Sequence, residues 1–199
     1  MENTSKPFKS LQNASPEEIK SGTLIVNLFG GPGTGKSTMA AGIFSELKWQ
    51  GINCELATEY AKEKVWEESY SIFENQVYIF AKQLQRIMRV KDKVDVLITD
   101  SPLILIMLYN KRLSGTFDDL ILEIFNSFNN KNYFLIRKKN YIRKGRLQTL
   151  EEAEELDGLT KELLDRNGIG YDTVTGEKAS TGLILNGIIE NLSGKKPRP

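Results

Sequence analysis

The chain has 199 residues, 40% hydrophobic and 27% charged, with 27 Lys and Arg set against 26 Asp and Glu for a net charge of +1. That size suits one globular domain with a sizeable core, and the near-zero charge supplies no global field toward nucleic acid or a membrane surface. Histidine is absent, which excludes His-based triads, His general bases and His-ligated zinc; the single cysteine, Cys54, excludes an intramolecular disulfide. Cys54 is expected as a small buried filler in a reduced, cytoplasmic setting.

Residues 1–20 read as a polar arm. The stretch "MENTSKPFKSLQNAS" has no apolar core of a signal peptide, and Ser15, Pro16 and Glu18 form a capping-box start for a short helix. A domain is expected over 21–192. "TLIVNLF" (23–29) is a β-branched apolar run of the kind that forms a strand covered on both faces. Glycines break it at 30–35, and helical character follows from Lys36 to Gln50 with Gly51 as the stop. "INCELA" (52–57) is a second strand.

Apolar residues from Ile72 to Met88, counting the Gln76 stem, keep the helical period and predict a core-facing stripe. "VDVLITD" (94–100) is a third strand ending in Asp100. Helices are expected over 103–112 and 117–128, a fourth strand over 132–136 ("NYFLI"), and a helix from Thr149 to Arg166 opened by a second capping box, Thr149 with Glu152. "IGYDTV" suits a fifth strand, 179–192 a last helix, and 193–199 a disordered basic tail. The longest apolar run, Pro102 to Tyr109, is under half of the roughly 18–20 residues of a membrane span, so no membrane partner is expected. Strands alternating with helices imply a three-layer α/β/α sandwich on a parallel sheet of about five strands, with ligands at the carboxyl ends of the strands.

Gly30 to Ser37, "GGPGTGKS", matches G-x-x-x-x-G-K-[ST] without departure, between an apolar strand and a helix. Glycines let successive amides face an anion, and the helix adds its positive end. Gly31, Pro32, Gly33, Thr34, Gly35, Lys36, Ser37 and Thr38 are the expected nucleoside-triphosphate contacts. Lys36 reaches the β- and γ-phosphates, Ser37 ligates Mg²⁺, and Thr38 lies near the α-phosphate.

Asp100 sits like a Walker B acid and is either an Mg²⁺ contact, a base for an acceptor, or a cap for the segment after it. Glu59, just past the second strand, is placed to hold or deprotonate an acceptor hydroxyl, or is a solvated first-turn acid. The stretch 137–146 carries six basic residues and predicts a lid over about 137–148. Arg137, Arg143 and Arg146 offer forks suited to phosphate charge; the same stretch also reads as a solvated loop or, with Tyr141 interleaved, as a nucleic-acid contact. Tyr60, Trp66 and Tyr70 are candidates for stacking on a flat acceptor.

Together "LFGGPGTGKST", "ATEYAKE", "VLITDSPL" and "LLDRNGIGYDTVTG" resemble the NadR-type ribosylnicotinamide kinases and related bacterial and phage AAA-like P-loop proteins, over residues 23–192. The resemblance implies a nucleoside-kinase fold that phosphorylates a ribosyl hydroxyl with Mg-ATP. Two features depart from that pattern. The D-G-x-R-like element after strand four is replaced by a longer segment, where Gly145-Arg146 or Asp157-Gly158 stands in, and no nucleotidylyl-transfer domain is present. The leading expectation is a kinase with ATP and Mg²⁺ as cofactors and a nucleoside-like acceptor. A nucleotide or a modified base or end in DNA is the alternative acceptor, and a P-loop ATPase or switch acting on a protein partner is the third reading.

Overall fold

The computed structural model describes residues 22–111, 113–138, 141 and 147–193. The expected arm at 1–20, the lid residues Arg143 and Arg146, and the tail beyond Ser193 lie outside the described residues.

Five strands form one parallel sheet in the order β2-β3-β1-β4-β5: β1 (Leu24–Phe29), β2 (Cys54–Ala57), β3 (Val96–Thr99), β4 (Asn129–Ile136) and β5 (Asp172–Thr175). The sandwich architecture and strand number are as the sequence implied. Every residue of β1 is buried, because the strand is central and covered on both faces. Its alternate side chains divide between two cores. Leu24, Val26 and Leu28 pack with Met39, Ile43 and Leu47 of helix α1 (Lys36–Trp49) and Ile184 and Ile188 of α6 (Thr181–Ser193). Ile25 and Phe29 face the opposite layer, with Phe80 and Ile87 of α3 (Gln76–Met88), Ile121 and Phe125 of α4 (Gly115–Asn126), and Leu163 and Leu164 of α5 (Leu150–Arg166). Cys54 is fully buried in the first core, as expected.

Asn27 is the polar exception in β1. Its side-chain amide donates to Asn130 Oδ1 (2.8 Å) and Asn132 Oδ1 (2.9 Å) across the β1–β4 pairing, where Asn27 lies opposite Asn132. Asn132 in turn donates to the Gly170 carbonyl at 3.0 Å.

Three elements differ from their expected form. The 72–88 periodicity is interrupted: Tyr70–Glu74 is a 3₁₀ turn, and Asn75 then caps α3 by accepting from the Tyr78 N–H at 3.0 Å. Asn at a cap competes with continuing helix, and a period count cannot see that. Leu103–Tyr109 is 3₁₀ rather than α-helix, consistent with entry from Pro102, which lacks a donor and is extended at ψ 137°. Strand β4 begins at Asn129, three residues early, because its backbone pairs with β1 from Leu24 onward. A short helix, α2 (Tyr60–Trp66), follows β2. The second capping box forms as expected: Thr149 Oγ1 accepts from the Glu152 N–H at 3.2 Å and Glu152 accepts from the Thr149 N–H at 2.7 Å.

Among the described residues no helix is long and apolar enough to cross a membrane.

Candidate functional site

The carboxyl ends of β1, β2, β3 and β4 release Gly30, Glu59, Asp100 and Arg137 along one rim of the sheet. From β1 the chain runs through α1 to β2 on one side, and from β3 it crosses back to β4 on the other. The crevice between the ends of β1 and β3 is thus the switch point of the sheet.

At that crevice the glycine loop turns into α1. Gly30, Gly33 and Gly35 adopt φ of 129°, 84° and 99°, in the region that favours glycine. Gly35 is the N-cap of α1 and provides no side-chain cap, and no acid lies in the first turn. The first helical bond is Met39 N–H to the Gly35 carbonyl at 2.8 Å, so the amides of Lys36, Ser37 and Thr38 have no partner within the helix. Uncapped amides on a positive helix end form an anion site. The Lys36 amine folds over the loop, donating to the carbonyls of Gly30 (2.6 Å) and Gly31 (2.9 Å). Burial pushes this amine below its ordinary value, against the pull of Glu59, Asp100 and Asp157 and with a smaller push from Arg137.

Ser37, Thr38, Lys36, Glu59 and Asp100 open onto a single cavity of about 490 Å³. Asp100 is only 4% exposed, and its Oδ1 is buried with no hydrogen-bond partner. It does not cap the following segment, since that turn starts at Pro102 without a side-chain cap. A buried carboxylate oxygen without a donor is suited to a cation or a metal-bound water. Among the described residues no cluster of three or more acidic or sulfur ligands exists. A site of one acid and one hydroxyl, Asp100 and Ser37, fits Mg²⁺, which takes few protein ligands and completes its shell with phosphate and water.

Beyond the loop and the two acids, the same cavity is lined by the apolar side chains of Val65, Phe73, Ile79, Leu105, Tyr109 and Leu156, with Gln76 and Gln148 among them. Burial, and after it the charge of Glu59, pushes the Tyr109 hydroxyl up to about 12, so it remains a donor. Glu59 is held where two structures meet. It is the N-cap of α2, and both of its neighbours are pinned by α3. Gln83, buried, accepts from the Tyr60 N–H (3.0 Å) and donates to the Thr58 carbonyl (3.4 Å). Arg86 donates to the Thr58 carbonyl (3.0 Å) and hydroxyl (2.9 Å) and to Glu63 (2.6 Å). Sequence reading missed these two supports; a glutamine on the apolar stripe of a helix was the available signal.

Two expected phosphate contacts stand elsewhere. Thr34 is buried and turns its hydroxyl to the Gly31 carbonyl (3.0 Å), so it shapes the loop and does not line the cavity. Arg137 does not line it either. Its guanidinium donates to the Pro32 carbonyl (2.7 Å), the Ala153 carbonyl (3.2 Å) and Asp157 (2.8 Å), and stacks on Tyr141 at 5.7 Å. Asp157 also accepts from the Gly31 N–H. A Cβ on Gly31 would collide with the Ala153 carbonyl, so α5 packs directly on the loop backbone. The arginine is therefore spent on bridging the Pro32 carbonyl of the loop to Ala153 and Asp157 of α5, and the Gly31 N–H is held by that same acid.

The stacking candidates also shift. Tyr60 is buried edge-on against Tyr78 (ring centroids 6.0 Å apart), and Trp66 and Tyr70 are exposed outside the cavity; Phe73 and Tyr109 line it instead.

The family model of the AAA domain matches residues 25–179. Among curated proteins none matches significantly. Of solved structures, the deoxyadenosine kinase from M. mycoides with bound dATP superposes with a TM-score of 0.52 at 18% identity, covering 85% of this chain and all of that one. The shikimate kinase from Acinetobacter baumannii in complex with shikimate gives 0.48 at 12%, covering 92% and 99%.

Proposed function

The chain belongs to the AAA domain family, and from that premise we propose that it is a P-loop kinase moving the γ-phosphoryl group of ATP to a hydroxyl of a nucleoside-like acceptor. One observation carries the reading: the uncapped amides of α1, the Lys36 amine and the unpartnered Asp100 oxygen share a single cavity with Glu59 and a set of apolar side chains. A nucleotide switch needs the loop, Lys36 and Asp100 and has no use for the apolar lining beside Glu59.

The loop amides and Lys36 hold the β- and γ-phosphates, and Thr38 lies beside the α-phosphate. Ser37 and Asp100 are the residues that would hold Mg²⁺, which when bound neutralises phosphate charge during transfer. Glu59 orients the acceptor hydroxyl and takes its proton. The acceptor oxygen forms a bond to Pγ, the bridging Pγ–O bond breaks, and ADP leaves with that electron pair. Phosphoryl transfer asks mainly for position and charge neutralisation, which this rim supplies without histidine. Arg137 acts through the loop, with Asp157, as a positioning pair. Arg143 and Arg146 are the arginines of the 137–148 segment left to steady the transferring group, and 21–192 is the catalytic domain.

The deoxyadenosine kinase likeness supports a P-loop kinase fold for the chain. The test is ADP release from Mg-ATP across a panel of acceptor hydroxyls. Acceptor-dependent release that Lys36→Ala abolishes supports the reading; release independent of every acceptor overturns it.

A further inference from the structure

The charges on the cavity wall do not balance for a neutral acceptor. Five charged residues line it: Lys36, Lys62, Lys111, Glu59 and Asp100. On the kinase reading, on which this inference rests, Lys36 belongs to the donor phosphates, Asp100 to the cation and Glu59 to the acceptor hydroxyl. Lys62 and Lys111 remain, both on the acceptor side. Lys62 follows Glu59 by three residues in the first turn of α2, a spacing that puts the two on neighbouring positions of the helix surface. Lys111 follows the Leu103–Tyr109 turn that brings Tyr109 to the wall.

Elsewhere in the chain Lys48, Lys64, Lys91 and Lys131 each sit in an ion pair. Among the described residues none of the ion pairs reaches Lys62 or Lys111. Lys62 has Glu59 one helical turn away and Lys111 shares a neighbouring cavity with Glu74, yet neither lysine is drawn into an ion pair; two such ammonium groups on one cavity wall match an anionic group on the acceptor. The cavity also does not end at Lys111. A second cavity of about 540 Å³ shares Phe73, Gln76, Tyr109 and Lys111 with the first, so the cleft continues past the lysine.

We propose that the acceptor is a nucleotide unit: its ring rests between Phe73 and Tyr109, its phosphate is held by Lys62 and Lys111, and the hydroxyl that is phosphorylated faces Glu59. The phosphate is either that of a free mononucleotide or that of a single strand continuing into the second cavity.

Full-length protein with Mg-ATP is given nucleosides, their 5′-monophosphates and short single-stranded oligonucleotides, and ADP release yields kcat/KM for each. A phosphate-bearing acceptor is expected to exceed its nucleoside by about ten- to a hundredfold, the scale of hydrogen bonds to a charged group. In the Lys62→Ala, Lys111→Ala double variant that ratio falls toward one, and Lys→Arg at both positions restores it. Turnover of monophosphates assigns a small nucleotide, and turnover of strands alone assigns a polynucleotide; either supports the proposal. A nucleoside used as well as its phosphate, or a ratio unmoved by the double variant, overturns the anionic acceptor and leaves the kinase standing. ATP binding with no acceptor-dependent turnover at all overturns the kinase, and the acceptor assignment with it.

Discussion

Replacing Asp157 by alanine removes the acid that, among the described residues, ties α5 to the glycine loop through both Gly31 and Arg137. The pair is largely out of water, with side-chain exposures of 20% for Asp157 and 12% for Arg137 at 2.8 Å. Breaking such a pair from one side costs about 3–5 kcal/mol, because the surviving charge stays buried. Arg137 keeps two neutral acceptors, the carbonyls of Pro32 and Ala153, which lowers the expected loss to about 2–4 kcal/mol. For a domain of this length that is a fall of about 4–16 °C in Tm.

Asp157→Asn preserves an acceptor for the Gly31 N–H and loses only charge, so its loss is smaller, about 1–2 kcal/mol. Urea unfolding followed by far-UV circular dichroism gives the midpoint. Tryptophan fluorescence is a poor probe here, since Trp49 and Trp66 are both exposed. The exposed pair Lys131–Asp172 is the internal control, and Asp172→Ala is expected to cost no more than about 1 kcal/mol. ATP affinity should fall in Asp157→Ala, because the peptide that shapes the loop loses its anchor. The reasoning is refuted if Asp157→Ala is as mild as Asp172→Ala, or if it binds ATP more tightly. The second result would mean that the acid competes with phosphate instead of setting the loop.

Four further outcomes are expected. Asp100→Asn removes a buried carboxylate without a hydrogen-bond partner, so stability changes by no more than about 1 kcal/mol while phosphoryl transfer slows about a hundredfold or more; unfolding of this variant in urea scans would instead mark Asp100 as structural. The Lys36 amine of the free protein lies below its ordinary 10.5, so the unfolded chain holds more protons between the two values. The stability linked to this amine is then fully present above 10.5 and is lost as pH falls through the folded value. Bound phosphates raise the amine again, so ATP affinity measured by calorimetry declines as pH climbs through that window, and Lys36→Arg flattens the decline. Gln83→Ala orphans the Tyr60 N–H and leaves Thr58 held by Arg86 alone, costing about 1–3 kcal/mol and raising the KM for acceptor more than that for ATP. Gly176→Ala places a methyl group inside contact distance of the Thr34 carbonyl and is expected to weaken ATP binding without abolishing the fold.

Local signals carried the frame well. The β-branched run before Gly30, the motif through Ser37 and the Thr149 capping box each announce an element from adjacent residues, and each formed. What escaped sequence reading depends on partners far along the chain. Arg137 looks like a free phosphate ligand until Asp157, twenty residues later, is folded against it. Phe73 reads as core in a periodic stripe, yet the Asn75 cap turns it toward the cavity. Tyr60 reads as an accessible ring and is buried by Tyr78. Thr34 lies inside a motif whose residues mostly face the ligand, but its own hydroxyl closes the loop on Gly31.

The asparagines bridging β1 and β4 do more than fill a polar gap. They index one strand against its neighbour, and with it the start of the glycine loop against the arginine that follows β4. Sliding β4 by two residues would keep its faces right but carry Arg137 some 7 Å, at about 3.3 Å per residue, out of reach of Pro32. It would also strand a buried amide. The register of the candidate rim is thus set three residues before Gly30, about 10 Å at about 3.3 Å per residue, at a rung that does not line the cavity.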